Sequence, residues 1–268
     1  MKDRKTKQLI VCFMGLFLWW SLLFFSPTAR AGSFTKKHIE EINLAWQNSA
    51  HAFADVNCSS CHLQPETKQL IVSPNHESCQ SCHEQQVETF LLGKHGIRLQ
   101  EGLSPLTPAM AYLPMKEAAG DRQMNCNTCH DVHSANTFTA SVDSCLTCHN
   151  DSHSLNYVKS KHGLLFDQGR SLPKPTADLV TCATCHLPRQ KIEGTKNVFV
   201  NHNNTYNLLP RDRMVKDVCM NCHGMEYSYN SIFDDELVEA NFAAPPTQYL
   251  QTLEMVKNLE EKRSGTEN

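Results

Sequence analysis

Six short segments of this sequence repeat one spacing: two cysteines three residues apart, with a histidine directly after the second. They are Cys58-Cys61-His62, Cys79-Cys82-His83, Cys126-Cys129-His130, Cys145-Cys148-His149, Cys182-Cys185-His186 and Cys219-Cys222-His223. Residues three apart share one face of a helical turn, so both sulfurs can close thioether bonds on the vinyl groups of a single porphyrin. The following imidazole then meets the iron from one side, which is the pattern of c-type haem attachment. A disulfide scaffold or paired zinc sites would also use many cysteines, but neither requires a histidine after every second cysteine. The sequence therefore implies six covalently bound haem c groups, held by these twelve cysteines, with the six motif histidines as iron ligands.

Eight histidines lie outside the motifs: His38, His51, His76, His95, His133, His153, His162 and His202. Three share a frame in which an aromatic residue stands five positions before the histidine, a small residue two positions before it and another small residue directly after it. The frames are Trp46 to Ala52 around His51, Phe90 to Gly96 around His95, and Tyr157 to Gly163 around His162. Repetition of a frame marks repeated structural units. Each framed histidine precedes two motifs, which divides residues 32–230 into three di-haem modules at about 46–83, 90–149 and 157–223. Each module holds one further histidine between its motifs, namely His76, His133 and His202. Framed and intermotif histidines together could supply a second imidazole to all six irons. His38 and His153 are left over by that count, and His153, four residues after His149, stays a further candidate ligand. The small residue after each framed histidine is expected to let the backbone approach a haem face. Met110 and Met115, in the Pro-rich segment 103–115, could ligate iron, but gap-filling against porphyrin edges is the plainer reading.

The elements that must position these groups are sparse. Aromatic residues make up only 8% of the chain, lean for a core built of side chains, so buried haem faces must supply much of the hydrophobic driving force. The expected fold is mostly α with extensive loop, a haem-packed multihaem cytochrome with little or no β. A helix is expected over Thr35–Ser49, short helical turns at each motif, and a helical tail over 231–268. In that tail Asp234–Phe242 and Thr247–Arg263 are separated by Pro245-Pro246.

Residues 1–31 read as a signal peptide: a basic start, an apolar run from Leu9 to Phe25, and Ala29-Arg30-Ala31 as a cleavage site. An uncleaved membrane anchor is the alternative, since 17 apolar residues approach the length that spans a bilayer. Either outcome implies export and a periplasmic location. Without residues 1–31 the chain carries 20 Lys+Arg against 27 Asp+Glu, a net charge of −7. No basic block appears, which argues against nucleic acid and for redox protein partners with a cationic docking face. The apolar stripe of the last helix could pack on the chain itself or make an oligomer contact.

The run from Cys145 through Asp151-Ser152-His153 to Tyr157-Val-Lys-Ser160-Lys-His162-Gly163 resembles the hydroxylamine oxidoreductase family of multihaem cytochromes. Thr181 to His186 with His202 downstream, and Arg213 to His223 followed by Phe233-Asp234-Asp235, are similar to it as well. The resemblance covers about residues 126–260 and implies closely stacked haems in alternating parallel and perpendicular pairs. It also implies eight haems, one of them five-coordinate, tied to a tyrosine and catalytic. This chain has six motifs and enough histidines to fill every iron, and nothing marks Tyr227, Tyr229 or Tyr249 as a cross-linking residue. The reading that follows is electron relay through bis-histidine haems, with no catalytic residue assigned. The alternative is an oxidoreductase acting on a small nitrogen or sulfur compound at one open haem.

Overall fold

The computed structural model describes residues 35–172, 179–249 and 254. The leader at 1–31 lies outside these residues, as does nearly all of the expected helix Thr247–Arg263. The chain divides into two compact units, residues 1–41 and 42–268. In the first, Lys36–Glu40 and Lys37–Glu41 pairs line the exposed start of helix Lys36–Gln47, the i,i+4 spacing that lends a surface helix modest support.

The second unit is a succession of short helices joined by loops. Its only strand pairing among the described residues is a small antiparallel ribbon, β1 (Arg189–Lys191) with β2 (Val198–Val200), in register Gln190 to Phe199. The mostly helical, loop-rich class expected from the sequence is what the structure has. The expected Thr35–Ser49 helix ends at Gln47, and a new turn, Ala50–Phe53, starts from Ser49, whose hydroxyl accepts from Ala52 N. A buried serine that caps a helix is strongly favoured over continuing the first helix through that point. The tail segment expected as a helix over Asp234–Phe242 is helical over Asp235–Glu239, capped by Asp234.

Among the described residues, most buried apolar side chains gather in three small clusters. Ala119, Met124 and Cys148 form one, with Leu106 and Met115 against it. Val142, Tyr157 and Phe166 form the second, where Phe138 stacks on Phe166 at 5.0 Å and Tyr157 donates to Val180 O. Met214, Val215 and Ile232 form the third. Many large apolar side chains instead remain exposed, including Leu92, Leu155, Val158, Leu164 and Leu165, which flank the histidines in sequence. A polypeptide core this small would not hold so many short helices together on its own.

The three frames show why their residues recur. Ser160 caps helix Lys161–Arg170 through Gly163 N, as Ser49 does for its own turn. In the second frame the equivalent residue is Gly93, where a Cβ would sit 2.8 Å from His202 O. The glycine after the histidine also has a local cause. A Cβ on Gly96 would lie 2.2 Å from Phe90 O, and one on Gly163 2.0 Å from Tyr157 O. In these two frames the glycine leaves room for the carbonyl of the frame's own aromatic residue, while the first frame carries Ala52 at that place. The aromatic and the glycine close one turn, and that turn aims the histidine between them.

Candidate functional site

Each attachment motif begins on a short helical turn, and four of the six turns carry a side-chain cap. Asn57 caps Cys58–His62, Asn75 caps His76–Gln80, Asn125 caps Cys126–Cys129 and Thr181 caps Cys182–His186. The fourth motif lies on helix Asp143–Cys148, and the sixth on a 3-10 turn, Cys219–Asn221. Capping matters here because four- or five-residue helices have no propagation to stabilise them. All twelve described cysteines are free thiols, the form that thioether attachment consumes.

The histidines are arranged in six pairs, each joining one motif imidazole to one from outside the motifs. Ring centroids lie 6.1 Å apart for His51 and His83, 6.2 Å for His62 and His133, 6.3 Å for His95 and His149, 6.3 Å for His130 and His202, 6.0 Å for His153 and His186, and 6.2 Å for His162 and His223. An imidazole nitrogen ligates a metal at about 2 Å, so two imidazoles on opposite sides of one ion stand roughly 6 Å apart between centroids. The spacing is too wide for ring stacking and right for one iron between each pair. No group of three His, Cys, Asp or Glu side chains converges among the described residues, as a tetrahedral zinc would need. The donor set, the free thiols and the exposed apolar side chains around the pairs all fit a flat apolar macrocycle with axial imidazoles.

The pairing has a rule that the sequence did not disclose. Framed His51, His95 and His162 each face the second motif of their own module. Intermotif His133 and His202 each face the first motif of the module before, His62 and His130 respectively. His76 has no earlier module to serve, and among the described residues its ring stands opposite no other imidazole; its buried Nδ1 has no hydrogen-bond partner. His186, first motif of the last module, has no later module to supply it and faces His153 instead. Of the two candidates, it is His153 and not His76 whose ring stands opposite a motif imidazole. His38 stays at the exposed start of the first helix, 3.9 Å from Glu41. Met115 packs against the cluster of Ala119, Met124 and Cys148.

Backbone groups fix several ring orientations through Nδ1, leaving Nε2 for the iron. His62 meets Ile71 O at 2.8 Å, His202 meets Val200 O at 2.9 Å, His51 meets Val132 O at 3.3 Å, and His153 meets Val238 O. Such outer partners set tautomer and orientation of a ligating histidine. Asn241 also holds the His153 segment, donating to His153 O at 2.9 Å with its amide 3.4 Å from Nε2. His149 differs, because Asp151 Oδ2 lies 3.4 Å from its Nδ1. Sequence reasoning passed over Asp151, although its place two residues after a motif histidine was the available signal. Burial would raise the Asp151 carboxyl, but hydrogen bonds from Ser154 and the nearby His149 outweigh it and hold the pKa below its usual value. Burial, with His149 and Lys94 beside it, pushes His95 down to about 4, and burial with His153 and His149 pushes His186 down to about 4. Neutral imidazole is the ligand form.

The sites also adjoin one another in the order of the sequence. Cys61 lies near Cys79 and Cys82, and Cys79 shares a hydrogen bond with Cys126, raising the Cys79 pKa and lowering that of Cys126. Burial first, then Cys145 and Cys148, push Cys129 up to about 12. Cys145 shares a hydrogen bond with Cys182, and burial with Cys219 nearby pushes Cys185 up to about 12. Thiols of each motif thus lie near those of the next, from the first to the sixth.

The chain matches no family model. A curated protein from Shewanella baltica (strain OS185), multiheme cytochrome MtrA, is 28% identical to it over 120 residues. The match covers 42% of this chain and 29% of the relative, so the chain spans less than a third of that protein's length.

Proposed function

We propose that this chain is a multihaem c-type cytochrome that passes electrons along six bis-histidine haems arranged in the order of their motifs. The observation that carries the proposal is the set of six imidazole pairs at 6.0–6.3 Å, each with one motif histidine. The likeness to a protein named as a multiheme cytochrome supports the same class. Bound haem supplies a one-electron couple at each position. The residues do the rest. The two thiols of each motif would fix one haem to the chain, and the paired imidazoles would ligate its iron. Short capped turns hold neighbouring motifs close together, and burial of His95 and His186 keeps those ligands neutral.

Filling both axial positions supports relay over catalysis at an open iron, because a substrate must displace a ligand before it can bind. The five-coordinate site implied by the hydroxylamine oxidoreductase resemblance has no counterpart among the six pairs. Export by residues 1–31, a periplasmic location and redox partners with a cationic face complete the reading, supported by the leader sequence and the net charge of −7 outside it. No helix among the described residues is long and apolar enough to cross a membrane. Intact mass of the denatured holoprotein tests the cofactor count, since thioether-bound haem stays on the unfolded chain. Six additions are expected, and fewer would refute at least one site.

A further inference from the structure

With His149 taken as an iron ligand, as proposed above, we propose that Asp151 is a positioning residue that lowers the reduction potential of the haem held by Cys145, Cys148 and His149. Asp151 Oδ2 stands 3.4 Å from His149 Nδ1, and the aspartate side chain is only 16% exposed. His51, His62, His153 and His202 turn Nδ1 toward backbone carbonyls, which are neutral dipoles. At His149 the group in that position carries a full negative charge. A carboxylate beside a ligating imidazole raises its basicity and stabilises the more positive ferric state over the ferrous one.

The placement does not depend on a mobile side chain. Asp151 caps helix Ser152–Asn156, accepting from Ser154 N at 3.0 Å and from Ser154 Oγ at 2.8 Å. The backbone of His149 is pinned from the other side by an antiparallel bridge to Met115, with Lys116 N donating to Cys148 O at 2.8 Å and Asn150 N to Pro114 O at 3.0 Å. Carboxylate and imidazole are therefore both held by the chain. Lys116 and Arg122 lie near Cys148 and act in the opposite sense at the thioether edge, so the contribution of Asp151 must be isolated by changing it alone.

Asp151→Asn suits the test, because asparagine caps a helix as well as aspartate does and removes only the charge. Redox titration of the holoprotein should show one midpoint of six moving positive, by a shift in the reduction equilibrium of about tenfold, or about 59 mV for a one-electron couple. Haem count and low-spin spectrum should be unchanged. Ser154→Ala, which loosens the same carboxylate without removing its charge, should move no midpoint that far. Six unmoved midpoints in Asp151→Asn, a shift spread evenly over all six, or equal shifts in both variants would overturn the role of Asp151. The unmodified protein measured alongside separates the premise: a high-spin or missing haem there would overturn the ligation reading itself.

Discussion

Replacing His153 by alanine isolates the part of the ligand scheme in which the structure and the repeat pattern disagree. Its ring faces His186 at 6.0 Å, so its loss should leave the iron at Cys182–Cys185–His186 with one imidazole and make that haem, one of six, high spin. The fold should tolerate the change. The side chain makes two hydrogen bonds, with Val238 O and, at 3.4 Å, with the Asn241 amide, each worth about 1 kcal/mol. Asn156 to Glu239 O and Asn241 to His153 O still join the same helices. Low-temperature absorption and magnetic circular dichroism of the oxidised protein read the high-spin fraction, and carbon monoxide binding after reduction counts the opened site. His76→Ala, measured in parallel, should change neither. A wholly low-spin His153→Ala protein, or a high-spin haem in His76→Ala, would refute the pairing rule at its last module.

His51→Ala, His95→Ala and His162→Ala should each convert a single haem to high spin and His38→Ala none, as read by the same spectra. Gly163→Ala should cost roughly 1–3 kcal/mol in thermal unfolding of the holoprotein, because its Cβ would meet Tyr157 O at 2.0 Å. Gly224→Ala, with no atom within 4 Å of the added carbon, should cost much less. The rings of His62 and His133 are parallel, at 1°, whereas the other five pairs cross at 50–63°. Crossed imidazole planes bring two iron d orbitals toward degeneracy and raise magnetic anisotropy. Electron paramagnetic resonance should therefore show one ordinary rhombic low-spin signal, lost in His133→Ala, beside more anisotropic ones; six alike would contradict the ring geometry.

The attachment sites were legible because their chemistry is local: two thiols and an imidazole within five residues define the motif wherever the chain runs. The framed histidines were legible for a related reason, since the aromatic, the small residues and the histidine form one turn closed by contacts such as Gly163 against Tyr157 O. Partner choice was not legible. His133 reaches back 71 residues to His62 and His202 reaches back 72 to His130, distances set by how modules interlock. A count of one intermotif histidine per module therefore credited His76, which has no preceding module, and left over His153, which replaces a following one. Asp151 was invisible for a similar reason, because a carboxylate near a motif gains meaning only when a helix cap and a strand-like bridge to Met115 orient it. The hairpin of β1 and β2 was missed because three-residue strands give too short an alternation to read.

Coordination of every iron by a pair of imidazoles is read most directly from spin state and gas binding. Oxidised holoprotein at neutral pH should be low spin throughout, and the reduced protein should take up no stoichiometric carbon monoxide, because in the proposed ligation each iron holds two imidazoles. A high-spin signal worth one haem in six together with one equivalent of bound gas would contradict it, and would place an open, reactive site where one of the six pairs now stands.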